Sequence, residues 1–230
     1  MANSARHAAP VQVVIFGAGG LGREVLSVFR AQVAAGWNVT CRGFVVDSKY
    51  VRDASVHGLP VHEGLSVLYD NPDCRIVVAL GDPSQRRRAV QQISRVAGPR
   101  FVSAIHPAAA IGMQVVIGDG TIVLGPVSIT ADVSIGQHVI INPLVAVSHD
   151  CRLADYATLG PGVALAGGVE VEEGAQLGTG VRVIPRQRIG AWAVVGAGAT
   201  VIRPVAANTK VVGVPARQIG VCEPGWHDGA

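Results

Sequence analysis

Every sixth residue over a span of 97 is aliphatic: Ile105, Ile111, Ile117, Val123, Ile129, Ile135, Ile141, Val147, Leu153, Leu159, Leu165, Val171, Leu177, Val183, Ile189, Val195 and Val201. In a chain that is 49% hydrophobic, 17 such positions in one register arise by chance about once in 10⁵. The next residue is often glycine (Gly112, Gly118, Gly136, Gly160, Gly178, Gly190, Gly196), and the fifth place is small or branched (Ala109, Val127, Val133, Val139, Val163, Val169, Ala199). A period of six fits neither a helix, at 3.6, nor a plain amphipathic sheet, at two. It fits short strands with aliphatic residues inward and tight turns between them, stacked as a parallel β-solenoid. The composition agrees: 29 glycines and 4% aromatics suit closely stacked backbone better than a core of large rings.

Ahead of this repeat the pattern differs. Val11 to Phe16 reads as a buried strand, GAGGLG as a turn, and Arg23 to Ala35 as a helix. A strand over Arg42 to Val46 ends at Asp47, His57 to Val61 supplies a turn and short strand, and Arg75 to Leu80 is a further buried strand. It closes at Gly81 and Asp82 before a helix over Pro83 to Val96. Alternating strands and helices imply a small parallel, Rossmann-like sheet. Gly17, Gly19, Gly20 and Gly22 have G-x-G-x-x-G spacing, which lets backbone amides approach a phosphate at a helix start. The expected division is a disordered terminus over 1–10, an α/β domain over 11–100, the β-helix over 101–206 and a tail or cap over 207–230.

The net charge of +3, with arginines scattered apart from Arg86, Arg87 and Arg88, carries no nucleic-acid footprint. Cys41, Cys74, Cys151 and Cys222 lie far apart without CxxC spacing, so neither zinc nor a disulfide framework is expected, and a reduced cytoplasm is the simplest home. Met1 to Ala9 lack a signal-peptide core, and no apolar run reaches membrane-spanning length. His138 and His149 are 11 apart at different hexad places, which disfavours a metal site; His106 before Pro107 reads as a turn residue, and His7, His57, His62 and His227 as loop or terminal ones. Arg186, Arg188, Arg203, Lys210 and Arg217 cluster late and read first as a solvated basic face.

The stretch INPLVAVSHDCRLADYATLGPGVALAGGVEV, with GAGGLGRE, VVALGD and the closing VVGVPAR, resembles the sialic-acid O-acetyltransferases and nucleotide-aminosugar N-acetyltransferases from Val11 to about Arg217. The resemblance implies a three-sided, left-handed β-helix, a homotrimer, acetyl-CoA as co-substrate in a groove between subunits, no metal, and a nucleotide-linked amino sugar as acceptor. It makes His149 the general base, Asp150 the acid that orients it, and Gly167 the oxyanion-hole amide beside the CoA. Asn142 becomes a sugar contact, Thr179 and Ala197 positions along the CoA groove. The glycine loop, with Asp47, Gly81 and Asp82, becomes the holder of a UDP, GDP or dTDP moiety. Ser148 stands where an acidic residue is common, Pro143 where a small hydroxyl residue is frequent, and Thr158 where many members have a second histidine. Val46 stands where an acidic pair is common, and Leu21 where histidine is common.

With three hexads per coil, residues 18 apart stack roughly 4.8 Å from one another. Ala131, His149 and Gly167 then share a column, and Asn142, Gly160 and Gly178 another. His149 falls at the third place of its hexad, off the inward position, above a glycine that leaves room and a backbone N–H of the kind that stabilises an oxyanion. Adjacent side chains on a flat strand point to opposite faces, so Asp150 reaches His149 only where the backbone bends. The solenoid's ends need caps, for which the N-terminal domain and the tail after Val205 are available. O-acetylation of a free sugar such as sialic acid, and a non-catalytic nucleotide-sugar-binding trimer, are the alternatives.

Overall fold

The computed structural model describes residues 10–98 and 100–222. Of the expected terminal segment over 1–10, residues 1–9, with His7, lie outside them, as does His227 at the other end. Strands and helices alternate in the first part: β1 (Val11–Phe16), α1 (Gly20–Ala34), β2 (Val39–Val46), β3 (Ser55–Val56), β4 (Leu59–Glu63), α2 (Ser66–Asp70), β5 (Arg75–Val78) and α3 (Pro83–Ala97). They form one sheet in the order β3-β4-β2-β1-β5, parallel except for the β3–β4 hairpin. Val13, Val14 and Ile15 of β1 are buried completely, as a strand covered on both faces requires.

Helix α1 starts three residues earlier than its periodicity suggests, because Gly20 and Gly22 belong to the helix rather than to the turn. At Gly22 a Cβ would come within 2.0 Å of the Gly17 carbonyl oxygen, so only glycine lets this helix pack so close to the end of β1. Helix α3 opens where expected: the Asp82 carboxylate accepts from Ser84 Oγ (2.6 Å) and Gln85 N–H (2.9 Å), with Pro83 at the first helical position. Two elements had no clear signal. Helix α2 spans little more than one turn, and β3 forms by virtue of the left-handed pair His57 (φ 49°) and Gly58 (φ 79°) in its two-residue hairpin.

From Ala104–Ile105 to Thr200–Val201 run two-residue strands, each ending on one of the 17 aliphatic positions. They stack on three faces. One carries Ile105, Val123, Ile141, Leu159, Leu177 and Val195; the second Ile111, Ile129, Val147, Leu165, Val183 and Val201; the third Ile117, Ile135, Leu153, Val171 and Ile189. Backbone N–H groups donate to carbonyls 17 residues on, as from Ile140 to Ala157 (3.0 Å) and from Thr158 to Ala175 (2.9 Å). Inward aliphatics form one continuous column from Val123 to Val201. At the corners the second residue takes the left-handed conformation even where it is not glycine, as at Asp132 (φ 56°), Leu144 (φ 63°) and Asp150 (φ 60°).

The tail closes one end: a strand over Thr209–Val212 continues the first face, another over Arg217–Val221 folds back on it, and Val205, Val211 and Ala216 join the core. The N-terminal domain does not close the other end. It lies mainly along the first face, where Val25, Phe29, Phe44 and Val77 share a core with Ala104, Ile122, Leu124 and Ile140, and Ile111 of the first turn stays 40% exposed.

Arg86 crosses that seam, fully buried. Its Nε donates to His138 O (2.8 Å), one terminal nitrogen to Leu80 O (2.7 Å) and Gly81 O (3.1 Å), and the other to Tyr156 O (2.6 Å) and Thr158 Oγ1 (2.8 Å). Burial pushes its pKa down to about 9, Asp82 opposing, which still leaves the guanidinium charged at neutral pH. All five of its donors find acceptors inside the protein.

His138 lies beside this guanidinium, 1% exposed, with Phe101 edge-on at 4.6 Å, Tyr156 stacked at 5.4 Å and its Nδ1 unpartnered. Burial first, and Arg86 second, lower its pKa to about 4 from 6.5. The folded state therefore binds fewer protons than the unfolded chain between those values, and stability falls as pH drops through that window. We expect a loss of order 3 kcal/mol between pH ~6.5 and ~4 from this group. Denaturant titrations across that range should show a flatter profile for His138→Leu than for the unchanged chain; parallel profiles would remove His138 as the cause.

Candidate active site

Two places on the chain bring together groups that could carry chemistry. The first is a cavity of about 860 Å³ at the carboxyl ends of β1, β2 and β5, where Phe16, Val46 and Leu80 meet its wall. Open parallel sheets bind ligands at this edge, where the strand order reverses. Gly17 and Gly19 line it with Ala18, ahead of the α1 N-terminus, and Asp47 lines it from the end of β2. Gly20 and Gly22 sit inside α1. Gly81 and Asp82 lie off the cavity, the carbonyl of the first accepting from Arg86 and the carboxylate of the second capping α3.

The sequence reading missed most of the polar lining: Arg23, Lys49, Tyr50, Arg52, Asp53, Gln85, Arg88 and Gln92. Four cations around an amide-rich loop suit a phosphorylated anion. Position in the fold was the available signal. Lys49 and Tyr50 follow β2 in a 3-10 turn, and Gln85, Arg88, Ala89 and Gln92 recur at helical spacing on the cavity side of α3.

The second place is the corner between the strands ending at Val147 and Leu153. Here the bend that the flat-strand argument demanded is present. With φ at 60°, Asp150 turns back, and its Oδ2 lies 2.7 Å from His149 Nδ1. Asp tolerates this left-handed conformation better than most residues. With the carboxylate accepting from Nδ1–H, the lone pair sits on Nε2, which is free to take a proton. The ring lies against Gly167, where a Cβ would come 2.6 Å from Cε1 and 2.7 Å from Nε2. Gly167 N–H donates to no acceptor among the described residues, whereas Gly168 N–H is taken by His149 O at 2.9 Å. His149 and Asp150 are 68% and 66% exposed.

Thr179 and Ala197 stack at a different corner, both exposed, across the second flat face from His149. The outward residues of that face are Ala110, Ser128, Ala146, Ala164, Arg182 and Thr200, mostly small, so a flat ligand or a second chain can approach it closely. Asn142, half-buried, spends its side-chain N–H on Leu159 O (2.8 Å). Thr158 faces the seam and serves Arg86. Among the late basic residues, Arg188 is paired with Glu172. Among the described residues no group of three or more His, Cys, Asp or Glu side chains is placed to hold a metal ion, and no helix is long and apolar enough to cross a membrane.

Residues 12–93 match the family described as the PglD N-terminal domain. No curated protein matches the chain. Among solved structures, the perosamine N-acetyltransferase from Caulobacter crescentus, a histidine-to-asparagine variant in complex with CoA and GDP-perosamine, is 39% identical with a TM-score of 0.82, the match covering 91% of this chain and 97% of that one. The acetyltransferase domain of PglB from Neisseria gonorrhoeae FA1090, in complex with acetyl coenzyme A, is 26% identical with a TM-score of 0.81, over 92% and 100% of the chains. WeeI from Acinetobacter baumannii AYE is 28% identical with a TM-score of 0.81, over 90% and 99%.

The cationic lining of the cavity generates a direct prediction. Titration with free nucleoside diphosphates should raise the melting temperature, and Arg88→Ala should weaken that binding by about tenfold, the effect of losing one charge-assisted contact. Equal affinity in the variant would remove Arg88 from the binding groups.

Proposed function

The chain belongs to the hexapeptide-repeat, left-handed β-helix acyltransferases that comprise the sialic-acid O-acetyltransferases and nucleotide-aminosugar N-acetyltransferases, and from that premise we propose that it moves the acetyl group of acetyl-CoA to the amine of a nucleotide-linked sugar. That it is an acyltransferase follows from the membership; the acceptor and the residue roles are our reading. The observation that carries them is the short Asp150–His149 contact with the imidazole lying over Gly167.

In this reading the nucleotide is held in the cavity beside Gly17, Gly19 and Asp47, and the sugar amine is delivered to a solenoid corner. Acetyl-CoA supplies the activated thioester; Thr179 and Ala197, exposed and small, border the surface along which it lies. His149 Nε2 takes the proton from the attacking amine, Asp150 holds the ring in the tautomer that leaves Nε2 basic, and the Gly167 N–H stabilises the negative charge that develops on the carbonyl oxygen. The C–N bond forms, the C–S bond breaks, and the proton held by His149 is available to the departing thiolate. GDP-perosamine, bound by the relative that is 39% identical, puts a GDP-linked amino sugar first among the acceptors to test, ahead of UDP- and dTDP-linked ones.

A thiol-release assay across those acceptors tests the reading; release only with a free hydroxyl sugar, or with none, would overturn it. His149→Ala should lower kcat by at least about 10²-fold with little change in either KM. Gly167→Ala should lower kcat by about tenfold or more, because the added methyl displaces the imidazole from its place over the amide. Unchanged kcat in His149→Ala would mean that another base acts.

A further inference from the structure

The run Arg86, Arg87, Arg88 gives three neighbouring side chains of α3 three different destinations. Arg88 enters the wall of the cavity. Arg87 stands 5.5 Å over the Trp192 ring and 3.6 Å from Glu173, on the solenoid. Arg86 is the one that closes the connection. Its Nε holds His138 O and a terminal nitrogen holds Tyr156 O, two carbonyls 18 residues apart, which is one full turn of the coil. The turn between them carries His149 and Asp150. The same guanidinium grips Leu80 O and Gly81 O, at the end of β5, where Leu80 lines the cavity. One rigid planar fork is therefore bonded both to the rim of the cavity and to the two ends of the turn that bears the His149–Asp150 pair.

We propose that Arg86 is a positioning residue for acetyl transfer: it fixes the orientation of the nucleotide cavity relative to the solenoid, so that a sugar anchored by its nucleotide arrives in reach of the base. This rests on the acceptor reading given above. The apolar seam of Val25, Phe29, Ile122 and Ile140 holds the two parts together but is non-directional, whereas five hydrogen bonds from one buried fork define an angle. A long substrate held at one end makes its reacting end sensitive to that angle. The requirement is the same whether the receiving histidine belongs to this chain or to a second copy.

Lysine keeps the charge but is a single point on a flexible stem, unable to serve acceptors on both sides of the seam together. In Arg86→Lys, kcat with the nucleotide-linked amino sugar should fall by about tenfold or more, the scale on which a misplacement of order 1 Å acts. The dissociation constant of the free nucleoside diphosphate and the KM for acetyl-CoA should stay within about twofold, because neither depends on the angle between the parts. A merely structural role would lower active-site content, so that kcat and nucleotide stoichiometry would fall in step; that outcome, or an unchanged kcat, overturns the proposal. Should Arg86→Lys fail to fold, Thr158→Val, which deletes one acceptor at nearly constant volume, has to show the same split at about threefold, and its absence overturns the proposal equally. Failure of the wild-type chain to acetylate any nucleotide-linked amino sugar sinks both readings; an active wild type with an equally active Arg86→Lys variant sinks only this one.

Discussion

The hydrogen-bond ladder of the solenoid, in which strand N–H groups reach carbonyls 17 residues on, is the constraint from which the rest follows. It leaves the chain no freedom in where residues 18 apart lie: they stack at the spacing of paired strands. A six-residue period is the shortest sequence statement of that rule, one strand and one corner per hexad. Inward places must be aliphatic because the stacked turns form a single column without water. Outward places are released from the core and can be spent on chemistry. His149 and Gly167 meet for this reason alone, the ladder having aligned two corners at successive levels.

Corners add what flat strands withhold. Along a strand, neighbouring side chains diverge, and a His-Asp pair adjacent in sequence would be useless. At a corner the second residue goes left-handed, and the two side chains come onto one side. The same geometry serves other ends elsewhere in the coil. His138 and Tyr156 occupy corner positions too, but on the edge where α3 docks, so His138 is buried and Tyr156 partly so, and they become packing surfaces and carbonyl acceptors for Arg86. Identical backbone, different neighbours, different work.

This explains what was legible beforehand. The aliphatic register is a property of sequence alone, and every strand of the coil falls on it. The column of His149 over Gly167 needed only the register and three hexads per turn. The contact of Asp150 was not legible, since it depends on a backbone angle that the residue types permit without requiring. Arg86 was hidden more deeply. Three successive arginines on a helix carry no local sign that the middle of a solenoid edge will cover the first of them. Its partners at 138, 156 and 158 lie 52, 70 and 72 residues away. Asp82 shows the converse: a residue that terminates a glycine turn at a cavity rim attracts a binding role, yet its carboxylate is committed to capping α3. The polar lining of the cavity follows from the strand order, which becomes readable only once β1 is known to lie between β2 and β5.

The exposure of the His149–Asp150 pair carries the last step. In water, a hydrogen bond between a histidine and a carboxylate both about two-thirds open to solvent contributes little, because the high dielectric and competing water weaken it. General-base catalysis assisted by an oriented amide gains its strength in a site from which water is excluded. One solenoid corner is convex and cannot exclude water from itself. For the proposed reaction the walls would come from elsewhere: from the substrates, and from a surface brought against the flat face between the His149 corner and the Thr179–Ala197 corner. That face carries alanines, serine and threonine at most of its outward places, and so permits a close approach. On the proposed reading the chain holds the reacting groups in register but leaves the dielectric of the site to be completed by what docks on it, so that the direction from which the sugar would arrive, and with it the angle proposed for Arg86, enters the chemistry.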